Sequence, residues 1–213
     1  TVRSMLPELK GRRVVDLGCG VGWFTRWADE RGAVSAVGID VSTKMLERAR
    51  IETSSASVAY QRVDLDKLEL APDSADLVFS SLTFHYVHDL DRLVSMTARA
   101  IAPGGSLVFS VEHPIYSAPS TQSFQITAGG DRVWPLDNYL AEGPRTTEWS
   151  VEGVIKQHRT VATYVNTLVQ AGLVIERIEE FGRPAAGESS TADSDDDVHR
   201  PWVLLVQASK PSG

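Results

Sequence analysis

Residues 14–22 read Val14-Val15-Asp16-Leu17-Gly18-Cys19-Gly20-Val21-Gly22, a short apolar run that ends in three glycines, each separated by one residue. An apolar run closed by glycine is a buried-strand candidate. Residues 23–31 follow with helical spacing, and Phe24, Trp27 and Ala28 share one face. Glycine tolerates positive φ and lets a ligand lie against the backbone. A strand, a glycine loop and a helix in this order therefore predict a bound cofactor.

A second strand over 34–39 leads to Asp40. An acid about 20 residues beyond such a loop accepts hydrogen bonds from ribose hydroxyls. Loop and acid together predict a cofactor that contains a nucleoside. The dinucleotide fingerprint needs a third glycine where this chain has Trp23, and the extra glycine is Gly22 instead. A P-loop is excluded because no Gly-Lys-Ser/Thr follows.

Further along, Ser42 is expected to cap a helix reaching about Glu52, with Met45, Leu46 and Ala49 inward. Strands are expected over 58–63, 75–80 and 106–111. A helix over 89–101 is closed by Pro103-Gly104-Gly105. Alternating strands and helices imply βαβ units in a doubly wound, parallel sheet. Regularity stops over 113–157, which reads as an insertion rather than a second domain. A helix over 160–171 and strands over 173–181 and 202–208 close the pattern, around an acidic, Ser-rich loop at 187–197. The domain expectation is a single unit over 1–213 carrying a substrate-side insertion.

Several ordered stretches now resemble a known family. Residues 14–22, Gly38-Ile39-Asp40, Val63-Asp64-Leu65, 76–81 and Ala102-Pro103-Gly104-Gly105 are similar to the motifs of the class I S-adenosylmethionine-dependent methyltransferases, methyltransferase-11 type. The resemblance covers residues 9–111 well and the rest loosely. It implies a Rossmann-like sheet of seven strands, mostly parallel, with one antiparallel strand near the C-terminus and helices on both faces. It also implies roles. Gly18, Cys19 and Gly20 would line the methionine end of the cofactor, with Asp16 reaching its ammonium through water. Asp40 would bind the ribose, and Val41 and Met45 would flank the adenine. Asp64 would bind the adenine amino group beside Leu65. Ser80 or Ser81 would sit near the methionine portion. Structural alternatives stand beside these: Asp16 as a loop cap, Met45 as helix core, Cys19 as a small residue in a tight loop.

Ligands in an open parallel sheet bind outside the carboxyl ends of the strands. His85 and Tyr86 follow the fourth strand, with Tyr86 a candidate to bind the substrate, and His113 follows the fifth. His113 or His85 is the candidate base, because histidine titrates near neutrality. The insertion supplies Tyr116, Trp134, Tyr139 and Trp149 as candidate walls of an apolar pocket, and His158 and Arg159 as polar groups that orient a substrate. No metal-ligand set is read.

Composition narrows the partners. The 213 residues carry a formal net charge of −7, with 42% apolar and 23% charged residues. That balance, and the absence of an Asp/Asn-Pro-Pro-Tyr/Phe motif after the fourth strand, argue against nucleobases in DNA. The lone cysteine, Cys19, excludes an intrachain disulfide and fits a reducing, cytoplasmic compartment. No apolar run spans a membrane and no signal peptide is read. The chain starts at Thr1 rather than Met, and only residues 1–12 precede the first strand. The helical lid many relatives place there is expected to be missing or replaced by the insertion. A homodimer is compatible with the sequence.

The leading expectation is methyl transfer to an O, N or C nucleophile of a small molecule. Its rivals are a regulatory protein that binds the cofactor without catalysis, a nicotinamide oxidoreductase, and a methyltransferase acting on protein or RNA.

Overall fold

The computed structural model describes residues 2–149, 151–181 and 200–212. Among them, seven strands form one sheet in the order β10-β11-β5-β4-β1-β2-β3. These are β1 (Arg13–Leu17), β2 (Ser35–Asp40), β3 (Val58–Arg62), β4 (Ala75–Ser81), β5 (Ile101–Glu112), β10 (Val174–Phe181) and β11 (Val203–Ser209). β1 to β5 pair in parallel. β11 runs antiparallel to both β5 and β10.

Alternation along the strands explains the layers. Val15, Leu17, Val78, Leu107 and Phe109 turn to one face, where α3 (Leu90–Ala100) and α5 (Val161–Gln170) bring Leu93, Val94 and Leu168. Val14, Leu77, Phe79 and Val108 turn to the other, under Phe24 and Ala28 of α1 (Trp23–Glu30). Phe24 stacks on Phe79 with ring centres 3.6 Å apart. Capping follows the sequence chemistry. Ser42 accepts the Met45 N–H at the start of α2 (Thr43–Ile51), Asp89 accepts that of Arg92 before α3, and Thr160 accepts that of Thr163 before α5.

Three details differ from the sequence expectation. The Pro-Gly-Gly stretch lies inside β5, which starts at Ile101, so it bends the strand rather than preceding it. Met45 is 46% exposed, so Leu46 and Ala49 alone face the core from α2. Residues 113–157 hold regular structure: the short α4 (Pro114–Ser117), the hairpin β6–β7 (Gln125–Ile126 and Arg132–Val133) and the hairpin β8–β9 (Gly143–Trp149 and Val151–His158). The side chain of Trp149, His199 and the acidic loop at 187–197 lie outside the described residues. No described helix is long and apolar enough to cross a membrane.

Candidate functional site

The strand order reverses between β1 and β4, and ligands bind at such a switch point, beyond the carboxyl ends of the strands. A cleft of about 280 Å³ opens there. Gly18, Asp40, Val41, Asp64, Leu65, Asp66, Thr83, Tyr86 and Val87 line it. Of the sequence candidates, the cleft gathers Gly18, Asp40, Val41, Asp64, Leu65 and Tyr86. Asp66, Thr83 and Val87 were not foreseen.

Long-range packing shapes the loop. Gly18 has φ +76°, and a β-carbon there would run into the Thr83 side chain. Gly22 has φ +75°, and its β-carbon would meet the ring of Tyr60 on β3. Gly22 thus makes room for Tyr60 and starts α1, while Gly18 lets the segment after β4 close over the loop. Asp40 ties the loop to β2, accepting the Gly20 N–H at 2.9 Å and the Ser42 N–H at 2.8 Å. Each carboxylate oxygen keeps acceptor capacity. Asp66 accepts the N–H groups of His88 and Asp89, which holds the wall past Val87. Leu82, at the mouth of β4, has φ +53°, a strained setting for leucine that clusters at functional sites.

Asp16 lies buried beneath the loop and accepts the Thr25 hydroxyl at 2.7 Å. Burial, opposed by that hydrogen bond and assisted by the charge of Asp40, pushes its carboxyl up to about 7. Burial together with Asp16 and Asp40 raises the Cys19 thiol far above neutrality. Cys19 therefore stays protonated and packs against Gly38, away from the cleft lining. Ser80 is buried and donates to the Leu17 carbonyl at 2.8 Å, which turns its hydroxyl into the sheet rather than toward the cleft. Ser81 accepts the Ser110 hydroxyl at 3.3 Å. Exposed Met45 stands on α2 outside the lining residues.

In both candidate bases the ring nitrogen that carries the lone pair already accepts a backbone N–H. The Glu112 N–H donates to His85 Nδ1 at 3.3 Å, which leaves the proton on Nε2. Burial, with the charges of Lys156 and Arg159, pushes His85 down to about 3. The Ile115 N–H donates to His113 Nδ1 at 3.1 Å, so His113 Nε2–H donates to Glu180 at 2.7 Å. Burial lowers His113 against the pull of Glu180, so this contact joins a neutral ring to a carboxylate.

The insertion candidates are largely occupied as well. His158 is wholly buried. Its Nε2–H donates to the Tyr139 carbonyl at 2.9 Å, and its Nδ1 accepts the Ser117 hydroxyl at 2.8 Å. Burial lowers its basicity. Arg159 donates to the carbonyls of Phe84, Val87 and His88, pinning the segment that walls the cleft. Tyr139 Oη accepts the Val161 N–H at 3.2 Å. Trp134 donates to the Ile115 carbonyl at 3.0 Å and stacks on Tyr116 with centres 5.7 Å apart. Arg200 packs over both rings, 4.2 Å from the Trp134 centre.

Behind the cleft wall lies a pair that sequence reasoning missed. Lys156 is 2% exposed and donates to Glu112 Oε1 at 2.5 Å. The other oxygen, Glu112 Oε2, is buried and has no hydrogen-bond partner among the described residues. Removing one member of such a buried pair costs about 3–5 kcal/mol. No spacing rule could have found it, because the two residues are 44 positions apart.

Chemistry and homology now meet. Three aspartates line the cleft, and no lysine or arginine does. Such a lining repels a pyrophosphate and attracts a cation. The model of the family described as "Methyltransferase domain" matches residues 15–109. An S-adenosylmethionine dependent methyltransferase from Mesorhizobium loti is 50% identical, covering 98% of this chain and 95% of its own, with a TM-score of 0.92. This chain belongs to the S-adenosylmethionine-dependent methyltransferases. Its cofactor is S-adenosylmethionine, and the acidic cleft suits that sulfonium cation. A Haemophilus influenzae protein is 33% identical over 220 residues, covering 99% of this chain and 85% of its own, and two named enzymes match about half of the methyltransferase. A ubiquinone biosynthesis O-methyltransferase of Paracidovorax citrulli is 36% identical over 104 residues, covering 47% of this chain and 43% of that protein. A malonyl-[acyl-carrier protein] O-methyltransferase of Pectobacterium atrosepticum is 31% identical over 102 residues, covering 48% and 39%. The chain thus spans under half the length of these two enzymes.

Proposed function

We propose that this methyltransferase holds S-adenosylmethionine in the cleft between Gly18, Asp40 and Tyr86 and methylates a hydroxyl or amine of a small molecule. The observation that carries the reading is the acidic cleft at the β1/β4 switch point. Asp40 would accept the ribose hydroxyls with the capacity left beyond Gly20 and Ser42. Val41 and Leu65 would sandwich the adenine, with Met45 at its open side and Asp64 taking the amino group. Gly18 and Gly20 would present backbone to the methionine portion, with Asp16 balancing its ammonium through water. The cofactor, when bound, supplies an activated methyl group. The protein has then to align the nucleophile and exclude water.

We read residues 1–213 as one domain and the insertion as the acceptor side, its wall formed by Tyr116 and Trp134. Support for a small acceptor comes from these stacked rings and from the ubiquinone-pathway relative, whose name states O-methylation. S-adenosylhomocysteine should raise the melting temperature, and Asp40→Ala should abolish the rise while leaving the unliganded protein folded. No shift in the wild type at saturating ligand overturns the cofactor reading. Label from methyl-tritiated S-adenosylmethionine that goes to RNA or protein, and not to a panel of phenols, catechols and amines, overturns the small-molecule reading.

A further inference from the structure

Residues 83–89 join β4 to α3 and form the cleft wall that carries Thr83, Tyr86 and Val87. Among the described residues no strand pairs with this stretch, so side chains from elsewhere have to hold it. Two do so by complementary means. Asp66 takes its N–H groups: Oδ2 accepts that of His88 at 3.1 Å and Oδ1 that of Asp89 at 2.9 Å. Arg159 takes its carbonyls. Nη2 donates to Val87 at 2.7 Å and to His88 at 2.9 Å, and Nη1 donates to Phe84 at 3.4 Å.

The two clamps differ in where they are anchored. Asp66 stands in the cleft lining itself, next to Leu65, whose carbonyl is fastened by Arg92 of α3 at 2.6 Å. Arg159 is buried at the junction of β9 and α5, 72 residues from Val87 in the chain. It is absent from the cleft lining and so reaches a bound cofactor only through the wall. A guanidinium presents its donors in a rigid fork, so the three carbonyls it bridges are fixed relative to one another. Asp89, Asp91 and Glu142 line a hollow of about 260 Å³ that Arg159 also borders, which offsets the cost of burying its charge.

We propose that Arg159 is a positioning residue for the cofactor: it sets Tyr86 and Val87 in the cleft wall and thereby couples cofactor binding to hairpin β8–β9. This rests on the cofactor reading of the cleft given above. Without Arg159 the wall keeps its fastening to Asp66 but loses its register against β9. Cofactor then binds only the fraction of molecules whose wall is in place, and its apparent affinity falls by that fraction.

The test uses the full chain and S-adenosylhomocysteine. Arg159→Met, titrated calorimetrically at a temperature where circular dichroism shows it folded, should bind about tenfold more weakly than wild type. His158→Ala, the buried neighbour in β9, should lose stability and keep its affinity, which separates positioning from general support of the hairpin. Should Arg159→Met fail to fold, Arg159→Lys takes its place with a loss of about threefold, because an ammonium lacks the fork. Hydrogen exchange supplies a reading on wild type alone. Coupling between two sites is reciprocal, so saturating ligand should slow exchange at the backbone amides of residues 154–158. That slowing should vanish in the Arg159 variant at equal saturation. An affinity within about twofold of wild type in Arg159→Met, or an equal loss in His158→Ala, overturns the proposal. So does exchange at 154–158 that the ligand leaves unchanged in wild type, or slowing that persists in the variant. Failure of S-adenosylhomocysteine to bind wild type instead brings down the cofactor reading and this proposal with it.

Discussion

The segment from β1 to β5 and the insertion at 113–157, with His158 at the end of β9, both carry many polar side chains, but they use them differently. In the first, polar groups keep capacity facing the cleft. Asp40 serves two N–H groups and still has lone pairs, Asp64 is exposed at the rim, and Asp16 holds a titrating proton under the loop. In the second, polar groups satisfy one another. His158 is matched at both nitrogens, and Trp134 and Tyr139 have backbone partners. A satisfied group holds shape, whereas a group with spare capacity can hold a ligand. By that criterion the insertion is a scaffold.

The sharpest way to break this contrast is at the loop. Gly18→Ala forces both a positive φ on alanine and a clash with Thr83, whereas Gly20→Ala meets open space. Gly18→Ala should cost about 3 kcal/mol, of which left-handed backbone accounts for about 1–2 kcal/mol. Gly20→Ala should cost only the backbone part. Chemical denaturation of the two variants measures the difference, and equal losses would mean that Thr83 does not press on Gly18.

Next in size is His158→Ala, which strands the Ser117 hydroxyl and the Tyr139 carbonyl in the interior. A loss of about 2 kcal/mol is expected, with S-adenosylhomocysteine affinity unchanged. A large loss of cofactor affinity without a loss of stability would reverse the scaffold assignment.

A third handle is the pH dependence of Asp16. Its carboxyl is raised to about 7 in the folded chain, above the unfolded value. The stability its proton confers is complete below the unfolded pKa and is lost as pH rises through about 7. Asp16→Asn should therefore gain on wild type as pH goes from 5 to 8. Because a ligand ammonium favours ionised Asp16, S-adenosylhomocysteine affinity should rise over the same span in wild type and stay flat in Asp16→Asn. Parallel pH profiles in both proteins would remove Asp16 from the site.

Much of the cofactor half was legible in the chain. The glycine loop, Asp40 and Asp64 announce themselves because backbone geometry and strand ends impose local requirements. His85 and His113 were legible as residues at the reaction edge but not in their roles. What disqualifies them is backbone N–H groups already bonded to their ring nitrogens. The hairpins of the insertion escaped notice because their strands do not alternate cleanly.

The sequence by itself determined the doubly wound fold, the kind of cofactor and the family, since these rest on short-range patterns: apolar period, positive-φ glycines, an acid at a strand end. Only the tertiary structure decided what presses on that loop and what lies behind the cleft. Thr83 over Gly18, Tyr60 over Gly22, and Lys156 beside Glu112 join residues 65, 38 and 44 positions apart. Whether a buried polar atom is satisfied depends on everything that packs around it, and no local pattern encodes that.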